Sequence, residues 1–296
     1  MGDYIIRGMA MNNEVRFFAA TTKDLVEQAR QYHHCSPVVT AALGRLLTGS
    51  AMMGSMCKND SDVLTVQVRG DGPIGGMVVS ADAKANVKGY AYNNQIELPI
   101  KEDGHLDVGG AVGHSGTLQV IKDLGLKEPY SGQTPLVSGE IAEDLTYYFA
   151  SSEQIPTSVA LGVLVDRDLS VRCAGGFIIQ LMPFATEETI SYLENRIGQF
   201  TSITEHLDHG ETPEEIITNL FEGRDDIEFE SSMPTQFHCG CSKERTAQAL
   251  ITVGKKELQS MIDDGEPIEL TCNFCNSHYT FSVDELKELL EKSTAR

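Results

Sequence analysis

The first 183 residues alternate between segments with a polar–apolar period of two and segments with helical periodicity. Leu64, Val66 and Val68 are separated by polar residues, which predicts a half-buried strand. β-Branched or aromatic segments between Gly, Asp and Asn turns predict further strands at 16–20, 77–80, 87–92, 96–98, 118–120, 159–165 and 171–181. Helical spacing predicts helices from 21 or 22 to 30, from 37 to 56 and after 138. This pattern indicates an α+β fold, with a mixed sheet-and-helix core domain over residues 1–183.

The segment 37–56 is the most apolar part of the chain. Gly44, Arg45 and Ser50 interrupt it, so it is too polar to cross a membrane. Ser36 at the N-cap and Pro37 in the first turn predict a buried helix instead. The first residues, MGDYIIR, lack the basic and apolar regions of a secretory signal. We therefore expect a cytoplasmic protein with no membrane partner.

From residue 184 the pattern changes to a helical linker, predicted to extend to 232. Its first helix carries an apolar stripe at Ile190, Leu193, Ile197 and Phe200. A capping box at 212–215 predicts a second helix, and the acidic run 222–230 predicts an exposed connector. The stripe needs an apolar surface to bury against. We expect it to pack against the core domain.

Two close pairs of cysteines dominate the chemistry of the predicted last domain, residues 233–296. They are Cys239-Gly-Cys241 and Cys272-Asn-Phe-Cys275. Two such pairs about thirty residues apart are typical of a tetrahedral Zn²⁺ site with four thiolate ligands. The spacing suits one zinc ion per chain better than an iron–sulfur cluster. The same closeness would also allow each pair to form a disulfide.

Other interpretations of these cysteines stay open on the sequence alone. His238 or His278 could replace one sulfur ligand. The Cys-x-x-Cys pair could instead be a thioredoxin-type dithiol, but the residues after it predict a turn and a strand rather than the helix that such a motif requires. Around the pairs, helices are predicted at 242–250, at 255–264 and from 282 onward.

The remaining candidate motifs have simpler structural interpretations. Cys35, Cys57 and Cys173 lie among apolar residues and are expected to be small core side chains. The glycines at 70–75 match a dinucleotide-binding pattern, but a strand follows them where that motif needs a helix, so a hairpin connection is predicted. A second glycine cluster, 109–116, lacks the spacing of a nucleophile elbow.

Composition narrows the possible partners. With 23 Lys and Arg against 43 Asp and Glu, the net charge is −20. Such a surface repels phosphate backbones, so we expect no nucleic-acid partner. A hydrophobic content of 41% is normal for a chain that buries a core.

Several segments together resemble one known family over nearly the whole chain. They are the four-cysteine pattern, PYSG at 129–132, SGEIAEDL at 138–145, SEQIP at 152–156, VRGDGP at 68–73 and AGGF at 174–177. With these motifs the chain resembles the redox-regulated 33-kDa heat-shock chaperones.

The resemblance implies an ATP-independent holdase with no enzymatic activity. In the reduced form, one zinc ion would be held by Cys239, Cys241, Cys272 and Cys275 and the protein would be inactive. Oxidation would release zinc, form the disulfides Cys239–Cys241 and Cys272–Cys275, and unfold the tail and linker. The exposed surfaces would bind unfolding client proteins, and the active form would be a homodimer. In such a protein the stripe at Ile190, Leu193, Ile197 and Phe200 would act as a latch that hides a client-binding surface.

An enzyme or binding protein with a purely structural C-terminal zinc ribbon is the alternative. Its cysteines would be slow to oxidise, so mild peroxide would leave zinc bound.

Overall fold

The computed structural model describes residues 2–294 and divides them into two compact units, one ending at His238 and the other beginning at Cys239. The first unit includes the predicted core domain and the predicted linker. The predicted boundary between these two parts therefore stays a prediction.

The first unit is built from strands and helices in alternating groups. Its strands are β1 (Tyr4–Ala10), β2 (Val15–Thr21), β3 (Val63–Gly70), β4 (Met77–Asp82), β5 (Asn86–Ala91), β6 (Gly116–Asp123), β7 (Tyr130–Pro135), β8 (Thr157–Val165), β9 (Val171–Leu181), β10 (Glu228–Pro234) and β11 (Gln236–Phe237). Its helices are α1 (Lys23–His33), α2 (Pro37–Ser55), α3 (Val108–Val112), α4 (Ala142–Tyr148), which continues into a π-helical turn at Phe149–Glu153, α5 (Glu187–Gln199), α6 (Ile203–Asp208) and α7 (Pro213–Leu220).

These strands form two sheets. The first sheet has five strands in the order β10-β1-β2-β9-β8, all antiparallel. The second sheet has six strands in the order β11-β5-β4-β3-β6-β7. In the second sheet the short pairing of β11 with β5 is parallel, and the other pairings among the described residues are antiparallel. The antiparallel pairing of β3 with β4 confirms the hairpin connection predicted for the glycines at 70–75.

Helix α2 packs against strands of both sheets and is buried along almost its whole length. Its apolar residues lie on all sides, as expected of a helix in the centre of a domain. Pro37 occupies its first turn, and Ser36 is its N-cap residue. The buried helix predicted from the sequence is therefore confirmed. Across residues 2–294, no helix combines the length and the apolar character that a membrane crossing requires.

The first sheet is apolar on both faces, because successive strand residues point to opposite sides. Ile5 and Phe18 belong to the central core around α2, whereas Ile6 and Phe17 belong to a second core on the outer face. Helices α5, α6 and α7 cover that outer face with Leu193, Ile203, Ile216, Ile217, Leu220 and Phe221. Two layers therefore enclose this sheet, and the outer layer consists of the predicted linker.

The second unit contains α8 (Lys243–Val253), α9 (Lys255–Asp263), β12 (Ile268–Thr271), β13 (His278–Phe281) and α10 (Val283–Thr294). Strands β12 and β13 form a two-stranded antiparallel sheet. Among the residues that the structure describes, its fully buried core is small and consists of Leu250, Leu258, Phe281, Leu286 and Leu289, with eight partly buried apolar side chains packed against it. Three helices are thus held together by little apolar surface.

Three expectations about secondary structure need correction. The predicted strand at 96–98 is wrong, because this segment is irregular. The glycine break expected in 171–181 is absent, because β9 pairs through Gly175 and Gly176 with β2 on one side and β8 on the other. The acidic run 222–230 is not only a connector, because its last residues begin β10, which pairs with β1.

Candidate metal centre

The two cysteine pairs are placed by different local structures. Cys239 and Cys241 precede α8, whose N-cap Ser242 accepts a hydrogen bond from the Arg245 amide. The Arg245 guanidinium donates to the Gly240 carbonyl (2.7 Å), which fixes the peptide between the two cysteines. These contacts restrict the first pair just before the helix begins.

The second pair lies in the turn between β12 and β13. The amides of Cys275 and Asn276 both donate to the Cys272 carbonyl, at 3.3 and 2.8 Å, and the Cys272 amide donates to Ser277. Asn276 has a positive φ of 55°, a conformation that Asn tolerates well. These main-chain bonds hold Cys272 and Cys275 close together in one tight turn.

All four sulfurs meet at one point, and we call them the sulfur quartet. Each Sγ lies within 4.8 Å of the other three. Cys239 Sγ is 3.7 Å from Cys272 Sγ, and Cys241 Sγ is 3.3 Å from Cys275 Sγ. A tetrahedron with Zn–S bonds of about 2.3 Å has sulfur–sulfur edges of about 3.8 Å. The donor set and its spacing fit a tetrahedral metal ion.

Hydrogen bonds differentiate the four thiols. The Tyr279 hydroxyl donates to Cys241 Sγ (3.1 Å), and Ser277 Oγ lies 3.2 Å from Cys275 Sγ. Burial opposes ionisation of Cys241, but the bonds from Tyr279 and the other thiols outweigh it and lower the pKa of Cys241 to about 7. Burial raises the pKa of Cys239 and of Cys272. Cys241 thus carries negative charge more readily than Cys239 or Cys272 does.

Neither histidine proposed as a replacement ligand belongs to this group. The His278 ring lies against the Glu269 carboxylate (3.1 Å) and the Thr271 hydroxyl (3.2 Å). His238 ends the first unit, where its amide donates to the Val87 carbonyl (2.8 Å). The ligand atoms that the structure brings together are all sulfur. Tyr279 and Ser277 were not identified from the sequence, although both follow the Cys-x-x-Cys pair closely.

The other three cysteines lie in the first unit. Cys35 and Cys173 are buried, as expected of small core residues, whereas Cys57 is only half-buried, so the expectation of a core residue is not met there. Burial raises the pKa of Cys35 to about 12 and that of Cys173 to about 11. The Cys173 thiol lies 3.6 Å from the Thr204 carbonyl of α6. Helix α6 therefore covers this thiol.

The apolar stripe of α5 lies on the outer face of the first sheet, but its members are buried to different extents. Leu193 is fully buried, and Ile197 and Phe200 are half-buried against the same outer core. The Phe200 ring packs edge-on to Phe177, with centroids 5.1 Å apart. Ile190 is also half-buried. The sequence thus identified the side of α5 that faces the sheet, whereas its role as a latch stays a prediction.

Polar contacts also hold α5 in place. The Thr186 amide and hydroxyl, at its N-terminus, both donate to the Glu14 carboxylate, at 2.8 and 2.9 Å. Near its other end, the Arg196 guanidinium donates to the carbonyls of Leu220 and Asn219, which belong to the last turn of α7. Helices α5 and α7 are therefore joined to each other as well as to the sheet.

Comparison with known proteins identifies one family. The model of the Hsp33 protein family matches residues 3–282. The 33 kDa chaperonin of Lachnoclostridium phytofermentans is 60% identical over 293 residues, covering 99% of this chain and all of the relative. The 33 kDa chaperonin of Clostridioides difficile is 50% identical over 292 residues, again covering 99% of this chain and 100% of the relative.

A solved structure agrees with these relatives. The crystal structure of the 33 kDa chaperonin (heat shock protein 33 homolog) from Thermotoga maritima superposes with a TM-score of 0.91 at 38% identity, and the match covers 100% of both chains. The family expected from the sequence motifs is confirmed. This chain therefore belongs to the Hsp33 family of chaperones.

Proposed function

We propose that this chaperone is a redox-regulated, ATP-independent holdase of the cytoplasm. In the reduced form it binds one Zn²⁺ through the sulfur quartet and is inactive. In the oxidised form it binds unfolding proteins and keeps them from aggregating. One observation carries the proposal. Four cysteine sulfurs lie within 4.8 Å of one another, a spacing that fits the ligands of one metal ion, inside a unit with a very small core.

The second unit depends on its sulfurs because its apolar core is small. Five buried side chains offset little of the conformational entropy that is lost when three helices and a hairpin become ordered. Bound Zn²⁺ would supply four bonds to sulfur, which in small finger peptides contribute about 10–16 kcal/mol to folding. Net domain stabilities are only about 5–15 kcal/mol. Loss of the sulfur–metal bonds is therefore expected to unfold this unit.

The quartet can also react with an oxidant. A thiolate sulfur attacks one oxygen of hydrogen peroxide, which breaks the O–O bond and gives a sulfenic acid and hydroxide. The neighbouring thiolate then displaces hydroxide from the sulfenic sulfur and forms the S–S bond. Two protons convert both hydroxides to water, so each cysteine pair donates two electrons to one peroxide. Disulfide sulfurs are poor metal ligands, so oxidation and metal release are coupled.

The pairing of the disulfides follows from chain connectivity once the unit unfolds. In the folded unit, all four sulfurs lie within 4.8 Å of one another, and sulfur contacts of 3.7 and 3.3 Å run between the two pairs. In an unfolded chain, short loops close more easily than long ones. We therefore infer the disulfides Cys239–Cys241 and Cys272–Cys275.

The outer layer of the first sheet supplies a surface that release could expose. Helices α5, α6 and α7 cover Ile6, Phe17, Phe177 and Ile179. A contiguous apolar area of this kind is suited to binding unfolded polypeptide. Its exposure would also favour self-association, so we propose that the active form is a homodimer.

The test is aggregation of a heat-unfolding client protein, followed by light scattering without ATP. Reduced protein should not suppress the scattering, whereas peroxide-treated protein should suppress it and release one zinc per chain. Cys57→Ser is the matched control, because Cys57 is half-buried and lies outside the quartet. This variant should respond like the wild type. Peroxide treatment that leaves zinc bound and scattering unchanged would favour a structural zinc ribbon instead.

A further inference from the structure

The segment 228–238, which we call the strap, joins the edges of both sheets. Its first part, β10, pairs with β1 at the edge of the first sheet, and its second part, β11, pairs with β5 at the edge of the second. Between them the buried Thr235 donates its amide to the Asp3 carbonyl (3.1 Å) and its hydroxyl to the Ala85 carbonyl (2.7 Å). The strap is therefore the outermost element on β1.

Main-chain pairing holds β10 more than side-chain burial does. Of its seven residues, only Met233 is half-buried, and the other six are exposed. The last sheet hydrogen bond of the strap is made by the His238 amide, and Cys239, the first member of the quartet, follows directly. A loosely buried edge strand is thus joined covalently to the redox-sensitive cysteines.

Three side chains of the strap show what the edge of β1 recognises. The Phe229 ring packs edge-on against Phe17, with centroids 5.6 Å apart. The Glu230 carboxylate lies 3.6 Å from the Arg7 guanidinium. Met233 packs against the central core. This close approach requires a glycine in β1, because a Cβ on Gly8 would lie 2.1 Å from the Glu228 carbonyl oxygen.

We propose that the outer edge of β1 is a strand-addition site for an extended segment of an unfolded client protein, and that the strap occupies this site in the reduced form. The favoured segment has an aromatic residue, then an acidic residue, and an apolar residue four positions after the aromatic one. The inference rests on the proposed function in one respect only, namely that oxidation is what frees the strap.

An unfolded polypeptide is the occupant that this edge suits best. Strand addition takes its affinity from main-chain hydrogen bonds, which every extended sequence offers, and its preference from a few side-chain positions. The strap itself binds in this way, mainly through its main chain. Five of the six exposed residues of β10 are polar or proline, so they bury little apolar surface against β1. A released edge also leaves Arg7 without its acidic partner, which favours a segment that brings an acidic residue of its own.

The register provides a matched pair of proline variants that free the strap without touching a cysteine. The Thr235 amide donates to Asp3, and antiparallel pairing alternates. The amide of Ser231, opposite Arg7, therefore points towards β1, whereas the amide of Ser232, opposite Ile6, points away. Ser231→Pro removes a hydrogen bond to β1, and Ser232→Pro removes none. Both serines are exposed, so the two changes cost equally little packing.

The experiment measures binding of a fluorescent peptide with the strap sequence IEFESSMPTQF to reduced, zinc-loaded protein. Ser231→Pro should bind this peptide at least about tenfold more tightly than Ser232→Pro or wild type. A peptide that itself carries the Ser231→Pro change should lose that affinity, and one with the Ser232→Pro change should retain it. Equal binding of the peptide to both protein variants would overturn the proposal.

Amide hydrogen exchange locates the binding. The Ile5 and Arg7 amides face the strap and should exchange at least about tenfold faster in Ser231→Pro, and the peptide should restore their protection. The Ile6 amide faces β2 and should stay protected, which shows that the sheet remains folded. Peptide binding that leaves the Ile5 and Arg7 amides unprotected would also overturn the proposal.

Two outcomes separate this proposal from its alternatives. If Ser231→Pro dimerises through the Ile5–Met9 edge and excludes the peptide, the occupant is a second copy and the proposal is wrong. If Ser231→Pro binds the peptide at β1 but oxidised wild type holds no client, the strand-addition site stands and the redox trigger fails.

Discussion

Leu193 anchors α5 on the outer face of the first sheet more deeply than any other residue of its stripe, with 4% of its surface exposed. Replacing it by alanine removes buried methyl groups and leaves a cavity beneath the helix. Such changes cost about 2–5 kcal/mol. If α5 to α7 form a latch that can open while the sheet stays folded, the substitution destabilises mainly the closed state. The free-energy difference between the open and closed states then falls by this amount. Since each 1.4 kcal/mol is about a factor of ten, the open population should rise roughly 30- to 5,000-fold.

Cys173 reports this opening directly. The residue is 7% exposed, and its thiol lies beneath α6, in contact with the Thr204 carbonyl. Helix α6 approaches closely here, since a Cβ on the nearby Gly162 would lie 2.4 Å from an Ile203 methyl group. A thiol reagent therefore reaches Cys173 only after α6 moves away. With fast opening and closing, the alkylation rate is proportional to the open population, so it should rise by the same factor.

The assay is alkylation of reduced, zinc-loaded protein, with the Cys173 peptide quantified by mass spectrometry. Leu43→Ala is the matched control, because Leu43 is 1% exposed but lies on α2 in the central core. It should lower the global stability by a similar amount and accelerate alkylation of Cys173 only together with that of the buried Cys35. Leu193→Ala should accelerate Cys173 alone. If both variants accelerate the two cysteines in parallel, the outer layer is ordinary core and the latch does not exist.

Four further predictions follow from the sulfur quartet, the stripe and the first sheet. Replacing all four quartet cysteines by serine should abolish zinc binding, measured by metal analysis of the reduced protein; full zinc stoichiometry in that variant would contradict the site. In partly oxidised protein, peptide mapping should show the disulfide of the Cys-x-x-Cys pair before that of the Cys-x-Cys pair. The Cys-x-Cys pair closes the smaller disulfide ring, which is more strained. A dominant crosslink between the two pairs would contradict this prediction. The double variant Ile190→Ser with Ile197→Ser should stay folded and zinc-bound, yet suppress light scattering by a client protein under strong reductant. The reason is that the two half-buried side chains together contribute about 2–3 kcal/mol to the packing of α5 on the sheet. A folded variant that still needs oxidation for activity would argue against the latch. Burial raises the pKa of Asp3 to about 6, so the folded state binds a proton at this carboxyl more tightly than the unfolded state does. The contribution of Asp3 to the free energy of unfolding should therefore rise as the pH falls from 6 towards 4. Denaturant unfolding at several pH values should show the stabilities of wild type and Asp3→Asn diverging over this range, and parallel stability curves would exclude the effect.

The sequence predicts elements well where burial alone determines them. The bounds of β9 agree with the predicted strand at 171–181, because apolar residues there face a core on both sides. Helix α2 is predicted equally well, since a long apolar segment that follows Ser-Pro is compatible with few structures other than a buried helix. Edge strands are different. Strand β7 (YSGQTP) and strand β10 (EFESSMP) have little apolar alternation and exist because a neighbouring strand offers hydrogen bonds.

In the candidate metal centre, too, the sequence predicts what depends on neighbouring residues and misses what depends on distant pairing. Spacing alone identifies the cysteines of the quartet, because sequence neighbours are held close by the chain itself. Spacing does not reveal that Tyr279 donates to Cys241, since the β12–β13 hairpin brings these residues together. The sequence also gives no sign of the strap, because the partners of β10 and β11 lie far away along the chain.

The pairing of β1 with β10 has a consequence for the synthesis of the chain. Strand β1 ends at residue 10 and β10 begins at residue 228, so the ribosome makes more than 200 residues between the two partners. At about 5–20 residues per second, the outer edge of β1 stays uncovered for roughly 10–45 s in every nascent molecule. During that interval each new copy exposes an unpaired strand edge of the kind that promotes aggregation. This chaperone is thus expected to need protection by other factors until its own strap has been translated.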